Sequence, residues 1–408
     1  MICPPVASGK AANRVASLFP PTRDAAFARL RAVRPGEYAR TRNALDGAVT
    51  GLSPYITHGM LPLREVVEVL RTRFGLSLRD KLMQEFGWRA YFHHVWRHAG
   101  DGIFASMHDG PLPDAAYATS LPADIVAGAT GVPVIDQAVR ALYANGYLHN
   151  HARMWLASYV VHLRKVHWRA GADWMYAHLL DGDLASNHLS WQWIAGTASR
   201  KPYLFNADNV ARYAPTEWHS PGTVIDTDYA SLEAQARLPA LAPVRVGAHL
   251  SIAPPPTRSA PPDDAGFAPP VEAMIAGRDV WLVHPWSLAD PPSGRLPIAV
   301  VDTDFHRRWP WSDQRWAWVN SRMNEITTVR WAAPAAELAS VLQSARSIAG
   351  WADPHLPWLA SVLQLPPPPP AFREPGRRCH SFSAWFTRLA GFADESTVPQ
   401  QADLFARL

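Results

Sequence analysis

The stretch DGDLASNHLSWQW, Asp181 to Trp193, concentrates residue types that can act together on one ligand. Read as a helix from about Asp183, it places Asp183, Asn187 and Trp191 at i, i+4 and i+8. That makes one stripe, and a single planar ligand can touch all three. Asp181 or Asp183 can cap the first turn, and Gly182 between them permits close backbone approach. A capped amphipathic helix with a core Trp has the same pattern. Upstream, GYLHNHARMWLASYVVHLRKVHWR, Gly146 to Arg169, sets Asn150 and Arg153 on a shared helical face. Arg153 is placed to pair with Asp181 or Asp183. Positive charge beside a redox ring stabilises an anionic form of that ring, while a plain structural ion pair needs the same spacing.

Two further stretches carry polar chemistry. In GLSPYITHG, Gly51 to Gly59, Pro54 follows a Ser where a helix should begin, and its exposed N–H groups can receive a phosphate. In QEFGWRAYF, Gln84 to Phe92, Glu85 and Arg89 fall at i, i+4 and can pair, and Trp88 offers a face on which a base can stack. Histidines cluster at 149, 151, 162 and 167 and at 93, 94 and 98, but no His-Glu-x-x-His or paired-Cys motif accompanies them, so no metal is expected. There is no GxGxxG and no Walker A sequence, which argues against a Rossmann-type nucleotide site.

The elements that must position these residues are mostly helical. From Thr22 to about Tyr213 apolar residues recur at three- and four-residue spacing: Leu63 to Phe74, Asp80 to His98, and VIDQAVRALYANG, stopped by Asn145-Gly146. Residues 101 to 130, rich in Gly, Pro, Ala and Asp, read as a long surface connection. From Leu238 to about Pro270 the composition turns to Pro, Ala and Ser, as in a linker. Beyond it VWLVHPW, PIAVVDTDF and TTVRWA read as short buried strands, with helices at Asp313 to Glu325 and Pro334 to Ala349, which predicts a small parallel α/β domain. A five-proline run within Leu365 to Ala371 is a stiff spacer before a last helix at Ser381 to Gly391.

Composition sets the outer limits. At 408 residues with 48% hydrophobic and 18% charged residues, the chain can bury two or three domain cores, and no apolar stretch nears bilayer length. Cys3 and Cys379 are too few for a disulfide framework, and the first residues lack a secretory signal pattern, so a reducing, cytoplasmic setting is expected. The 18 Trp and an Arg-dominated cationic side suit phosphates and flat rings, although a net charge of +4 is mild.

LSPYITHG, EFGWRAYF, TGVPVIDQAVRALYANGYLHNHARM, VHWRAG and DGDLASNHLSWQW, in this order and spacing, resemble the FAD-binding helical domain of the cryptochrome/photolyase family, from about Tyr38 to Tyr213. The fold class expected is mainly α, a helical photolyase-like domain followed by a smaller α/β domain. The boundaries expected are an extension over 1–21, the helical domain over 22–237, a linker over 238–275 and the α/β domain over 276–408. The resemblance implies FAD bent into a U. It places Tyr38, Thr50, Leu52 and Ser53 around the phosphates with Arg89 nearby, and Asn150, Arg153, Asp181 and Asp183 around the ring and ribose. Asn187 matches the residue facing flavin N5, and an amide there resembles photolyases.

Trp191 and Trp168 match the first two members of the family's electron-transfer chain. The third aligns near Asp114 to Tyr117, where no Trp stands, which leaves Trp168 itself, Tyr117, Trp96 or Trp155 to end the chain. Glu85, Trp88, Met154 and Trp193 match the lining of a cavity for a flipped-out pyrimidine dimer, with Trp88 and Trp193 sandwiching the lesion and Glu85 hydrogen-bonding it. The implied reaction is blue-light-driven electron transfer from reduced flavin that splits a cyclobutane dimer in DNA, single- or double-stranded, by a monomeric protein with no membrane role. A non-repairing flavin photoreceptor is the alternative. Ala90 stands where an acidic residue is usual, His151 where an Arg often contacts DNA phosphate, and Leu82 where a flavin-side Trp is common. No motif in the tail would hold an antenna chromophore.

Overall fold

The computed structural model describes residues 18–239 and 251–390. Its longer helices are α1 (Leu63–Phe74), α2 (Lys81–Ala99), α3 (Pro133–Asn145), α4 (Asn150–Ser158), α5 (Trp168–His178), α6 (Leu184–Ala195), α7 (Asp313–Ile326) and α8 (Phe382–Ala390). The strands of its main sheet are β1 (Asp279–Val283), β2 (Leu296–Asp302), β3 (Arg330–Ala333) and β4 (Ser347–Ala349). The chain is therefore mainly α with a smaller α/β portion. Helix α1 buries Val66, Val67, Val69 and Leu70 and closes on Gly75 at φ 64°, a left-handed cap that suits glycine. Helix α3 ends the same way on Gly146, as Asn145-Gly146 predicts.

One expected helix is broken. After α4, residues Tyr159–Leu163 form a π-helical turn, Lys165 takes φ 52°, and α5 begins anew at Trp168. The Lys165 ammonium is buried and tied to the carbonyls of His162 (2.6 Å), Gln235 (2.7 Å) and Ala236 (3.2 Å). A continued helix would have to leave that charge without those acceptors.

The chain forms two compact units that interleave along the sequence. The first includes Gly36–Val49 and Ala99–Thr257; the second includes Phe19–Pro35, Thr50–His98 and the chain from Arg258 onward. In the first, α3, α4, α5 and α6 enclose a core built on Ile135, Leu142, Trp155, Leu156, Val160, Met175 and Trp191, with Ile252 packed on its edge.

The second unit holds the sheet, in the order β3-β2-β1-β4 with every pair parallel, Val283 opposite Ala299 and Val301 opposite Ala332. Val280, Leu282 and Val283 and the run Ile298–Val301 are fully buried, as strands covered on both faces must be. Strand β4 lies in a stretch expected to be helical: that helix stops at Leu342, and Ser347–Ala349 pairs with Asp279–Trp281. Three residues are too few to show a strand's alternation.

The units divide at Thr257–Arg258, inside the expected linker, but they also divide earlier in the chain, because early helical segments belong with the sheet. Trp318 Nε1 donates to the Phe19 carbonyl at 2.6 Å, Tyr55 packs on Trp318 with centroids 5.9 Å apart, and His58 Nδ1 lies 2.5 Å from the Pro285 carbonyl oxygen. Gly59, at φ 62°, passes so close to the Trp286 carbonyl that a side chain there would collide with it. Arg23 reaches Glu65 and Asp290, and Asp290 also takes a bond from Arg322 at 2.6 Å. Part of the expected linker is also structured: Ala268 exchanges 3.0 Å backbone bonds with Arg330 and Ala332 at the sheet edge, and Arg330 holds the Ala265 carbonyl at 2.7 Å. Its residues 240–250, most of the expected extension over 1–21 and the chain after 390 lie outside the described residues.

Candidate functional site

In the first unit the structure assembles the stripe expected on α6. Asp183 is the cap, its carboxylate accepting from Ser186 N–H at 3.0 Å. One turn on, Asn187 is 9% exposed and its Nδ2 donates to the Ala172 carbonyl at 2.8 Å. That bond orients the amide, so its Oδ1 is the end presented, and it accepts no bond from the described residues. A further turn on, Trp191 is buried with its ring against Gly171, where a side chain would overlap the indole. Trp168, also buried, begins the helix that carries Gly171, and its Nε1 donates to Ser106 Oγ at 2.9 Å.

Arg153 pairs with Asp181, Nη2 lying 2.9 and 2.8 Å from the two carboxylate oxygens, while its Nε holds the Leu148 carbonyl at 2.9 Å. The Asp181 side chain is 3% exposed, so the pair is fixed and largely dry on the acidic side. Asn150 is exposed, 3.4 Å from Met154 Sδ. Trp193 is 39% exposed and stacks on Tyr203 with centroids 5.9 Å apart. Tyr38 is half-buried on the helix Pro35–Thr41.

His151, expected at a DNA phosphate, lies half-buried against Trp155 and Tyr213, and burial followed by the nearby Arg42 lowers its basicity. Its setting is aromatic. Of the residues considered to end the electron chain, Tyr117 has its ring 6.3 Å from His167, the neighbour of Trp168, and Trp155 bonds Asn209 Oδ1 at 3.0 Å in the core. Trp96 belongs to the second unit, edge-on to His355 at 5.0 Å.

The remaining expected residues lie in the second unit. Thr50 Oγ1 accepts from Leu52 N–H at 3.3 Å, Leu52 is buried, and Ser53 opens the short helix Ser53–Thr57 with Pro54. Arg89 donates to Thr57 Oγ1 at 3.1 Å, and Glu85 is exposed on α2. Leu82 is buried and Ala90 half-buried.

Trp88 meets a partner the sequence reading did not include. Phe382 of α8 stacks on it, centroids 3.9 Å apart and planes 10° apart, and Phe386 presses on Gly87, where a side chain would overlap its ring. The approach to α8 is anchored on the same helix. His94 Nδ1 lies 3.0 Å from Glu374, its Nε2 accepts from Cys379 N–H at 3.0 Å, and Arg97 holds Glu374 at 2.9 Å. Burial lowers the His94 pKa and pushes that of Tyr91, which also packs on Phe382, up to about 12. Among the described residues no three His, Cys, Asp or Glu side chains converge as a metal site.

Residues 82–220 match the FAD binding domain of DNA photolyase. The cofactor of this domain is FAD. Among curated proteins the chain is 34% identical over 167 residues to a deoxyribodipyrimidine photo-lyase of Streptomyces griseus, covering 40% of this chain and 36% of that one. It is 33% identical over 190 residues to a cryptochrome DASH of Idiomarina loihiensis, covering 44% and 42%. To the deoxyribodipyrimidine photo-lyase of Escherichia coli it is 32% identical over 203 residues, covering 46% and 43%. The chain thus spans less than half the length of these relatives. Among solved structures, a class III photolyase from Agrobacterium tumefaciens aligns with 22% identity and a TM-score of 0.44, covering 57% of this chain and 58% of that one.

The residues present fit FAD on their own chemistry. The oriented Asn187 amide offers an acceptor to a ring N–H, and the Arg153–Asp181 pair supplies a fixed charge and polar edge. Ser106 and Asp114, linked in turn to the Trp168 indole N–H by hydrogen bonds, were invisible in sequence because they sit in a Gly- and Pro-rich connection without periodicity.

Proposed function

We propose that this chain is a light-driven flavoprotein that repairs cyclobutane pyrimidine dimers in DNA. The observation that carries the reading is the fixed Asn187 amide. With Nδ2 committed to Ala172, the oxygen is the group left to accept, and it favours a protonated flavin N5, the state of the reduced ring. When bound, FAD supplies one-electron chemistry driven by blue light. Arg153 and Asp181 orient ring and ribose groups, Asp183 rigidifies the helix that carries Asn187, and Trp191 and Trp168 supply oxidisable rings. Thr50, Leu52, Ser53, Tyr38 and Arg89 serve the phosphates, with Asn150 on the ribose side.

On the substrate side, Trp193 presents an exposed indole face and Met154 a polarisable neighbour, while Glu85 offers an exposed carboxylate to a pyrimidine. Trp88 offers a second stacking face once Phe382 leaves it. The stacked Phe382 also favours the other reading, a photoreceptor that handles no lesion.

The test is to incubate the photoreduced, FAD-loaded protein with a thymine-dimer oligonucleotide under blue light and follow loss of the dimer. The repair reading expects dimer loss, faster in Phe382→Ala and abolished in Glu85→Ala. Absence of repair in the unsubstituted protein and in Phe382→Ala, with flavin bound and reduced, removes it in favour of the photoreceptor.

A further inference from the structure

Trp168 is buried, yet its polar edge is not closed off within the core. Its indole N–H donates to Ser106 Oγ at 2.9 Å, and the Ser106 hydroxyl donates to Asp114 Oδ1 at 3.0 Å. An indole nitrogen only donates and an ionised carboxylate only accepts, so the single hydroxyl proton must point away from the ring. The chain therefore has one direction, from the core to a carboxylate that is 49% exposed. The other oxygen of Asp114 lies 3.4 Å from His167 Nε2, which holds the carboxylate at the end of the line. A buried indole needs only one acceptor, and any backbone carbonyl would serve. A hydroxyl that leads on to a solvent-facing carboxylate is a path for a proton.

We infer that Ser106 and Asp114 form the proton relay for oxidised Trp168. The inference rests on the proposed light-driven reading, in which photoexcited oxidised flavin is the oxidant. The ring of Trp191 lies on Gly171, about one turn along α5 from Trp168. An electron passes from Trp168 to oxidised Trp191. The indole N–H proton moves to Ser106 Oγ as the Ser106 hydroxyl proton moves to Asp114. Trp168 is left a neutral radical, short of one electron and one proton. Ser106 is unchanged, and Asp114 is neutral until it returns its proton to water. With the positive charge gone from Trp168, return of the electron from Trp191 is disfavoured. The chain then holds its separated charge without a third tryptophan near Asp114 to Tyr117.

The experiment is flash photolysis of the full chain loaded with oxidised FAD, following the visible bands of the indole radical. Asp114→Asn and Ser106→Ala are expected to replace the long-lived neutral radical by a radical cation that decays about 100-fold faster, the lower end of what a positioned proton acceptor contributes. Asp114→Glu and Ser106→Thr are expected to restore the neutral species. A flavin-free readout accompanies this: the Trp168 indole N–H resonance, assigned with Trp168→Phe, should exchange faster with water in Ser106→Ala.

Unchanged radical kinetics in Asp114→Asn, with a radical formed, overturn the relay while leaving the flavin reading intact. So does a lifetime that collapses in Tyr117→Phe but not in Asp114→Asn, which makes Tyr117 a further electron hop. Absence of any indole radical in the unsubstituted flavin-bound protein overturns the flavin reading, and the relay with it.

Discussion

Trp168 and Trp88 both stand out by position in the sequence, and the fold treats them differently. Around Trp168 and Trp191 most partners come from nearby chain, Gly171 and Ala172 on the adjoining helix and Asp183 one turn before Asn187, with Ser106, 62 residues before Trp168, the exception. Around Trp88 the decisive partner, Phe382, arrives from almost 300 residues downstream. The first region is a polar scaffold fixed in place before any ligand enters. The second is an aromatic face already taken by the chain itself. Any function assigned to Trp88 must include the departure of α8, whereas Asn187 needs no rearrangement to present its oxygen.

Substitutions can break or sharpen that contrast. The largest effect is expected for Arg153→Ala, which takes the guanidinium away from the buried Asp181 carboxylate. It should cost about 3 kcal/mol, the low end for breaking a buried pair because the Arg is itself part-exposed, and reduce flavin retention. Urea unfolding and the flavin-to-protein absorbance ratio check this.

Acidification should act next. Burial holds His149, His162 and His178 of the first unit at a pKa of about 4, below the ordinary 6.5. The unfolded chain therefore binds protons before the folded one does. Their contribution is complete above pH 6.5 and is lost as pH falls toward 4. Thermal melts across that window should show a falling midpoint, and a flat profile would mean that these rings are hydrated.

Gly171→Ala should cost about 2 kcal/mol by forcing the Trp191 ring off the helix backbone, seen in denaturant midpoint and in Trp fluorescence. Phe382→Ala should cost least, about 1 kcal/mol for a half-buried ring, while raising affinity for a thymine-dimer oligonucleotide about tenfold by clearing Trp88. Fluorescence anisotropy of the labelled oligonucleotide reads that change. If affinity is unchanged, Trp88 is a core residue and the contrast between the two regions widens.

What could be read in advance follows the same division. The cap at Asp183, the stop at Gly146 and the pairing of Arg153 with Asp181 depend on helical spacing over one or two turns or on one pair of adjacent motifs, and all are present. The breaks were legible only in part. Lys165 ends a helix through carbonyls 70 and 71 residues away, and β4 is too short to carry a period. Ala268 reads as linker because its only order is backbone pairing with the sheet edge, which composition does not register. Phe382 gave a helix but not its destination, since an apolar face announces burial without naming the surface that receives it.

The near-collision between Gly59 and the Trp286 carbonyl has a practical meaning for anyone dissecting this protein. Cutting in the proline-rich stretch near residue 240, the obvious place from sequence, would separate Tyr55, His58 and Gly59 from the tryptophans they pack against. Neither piece would keep a sealed interior. Coexpressed halves should reassociate or precipitate, and a protease nick in that stretch should leave the two products travelling together on a sizing column.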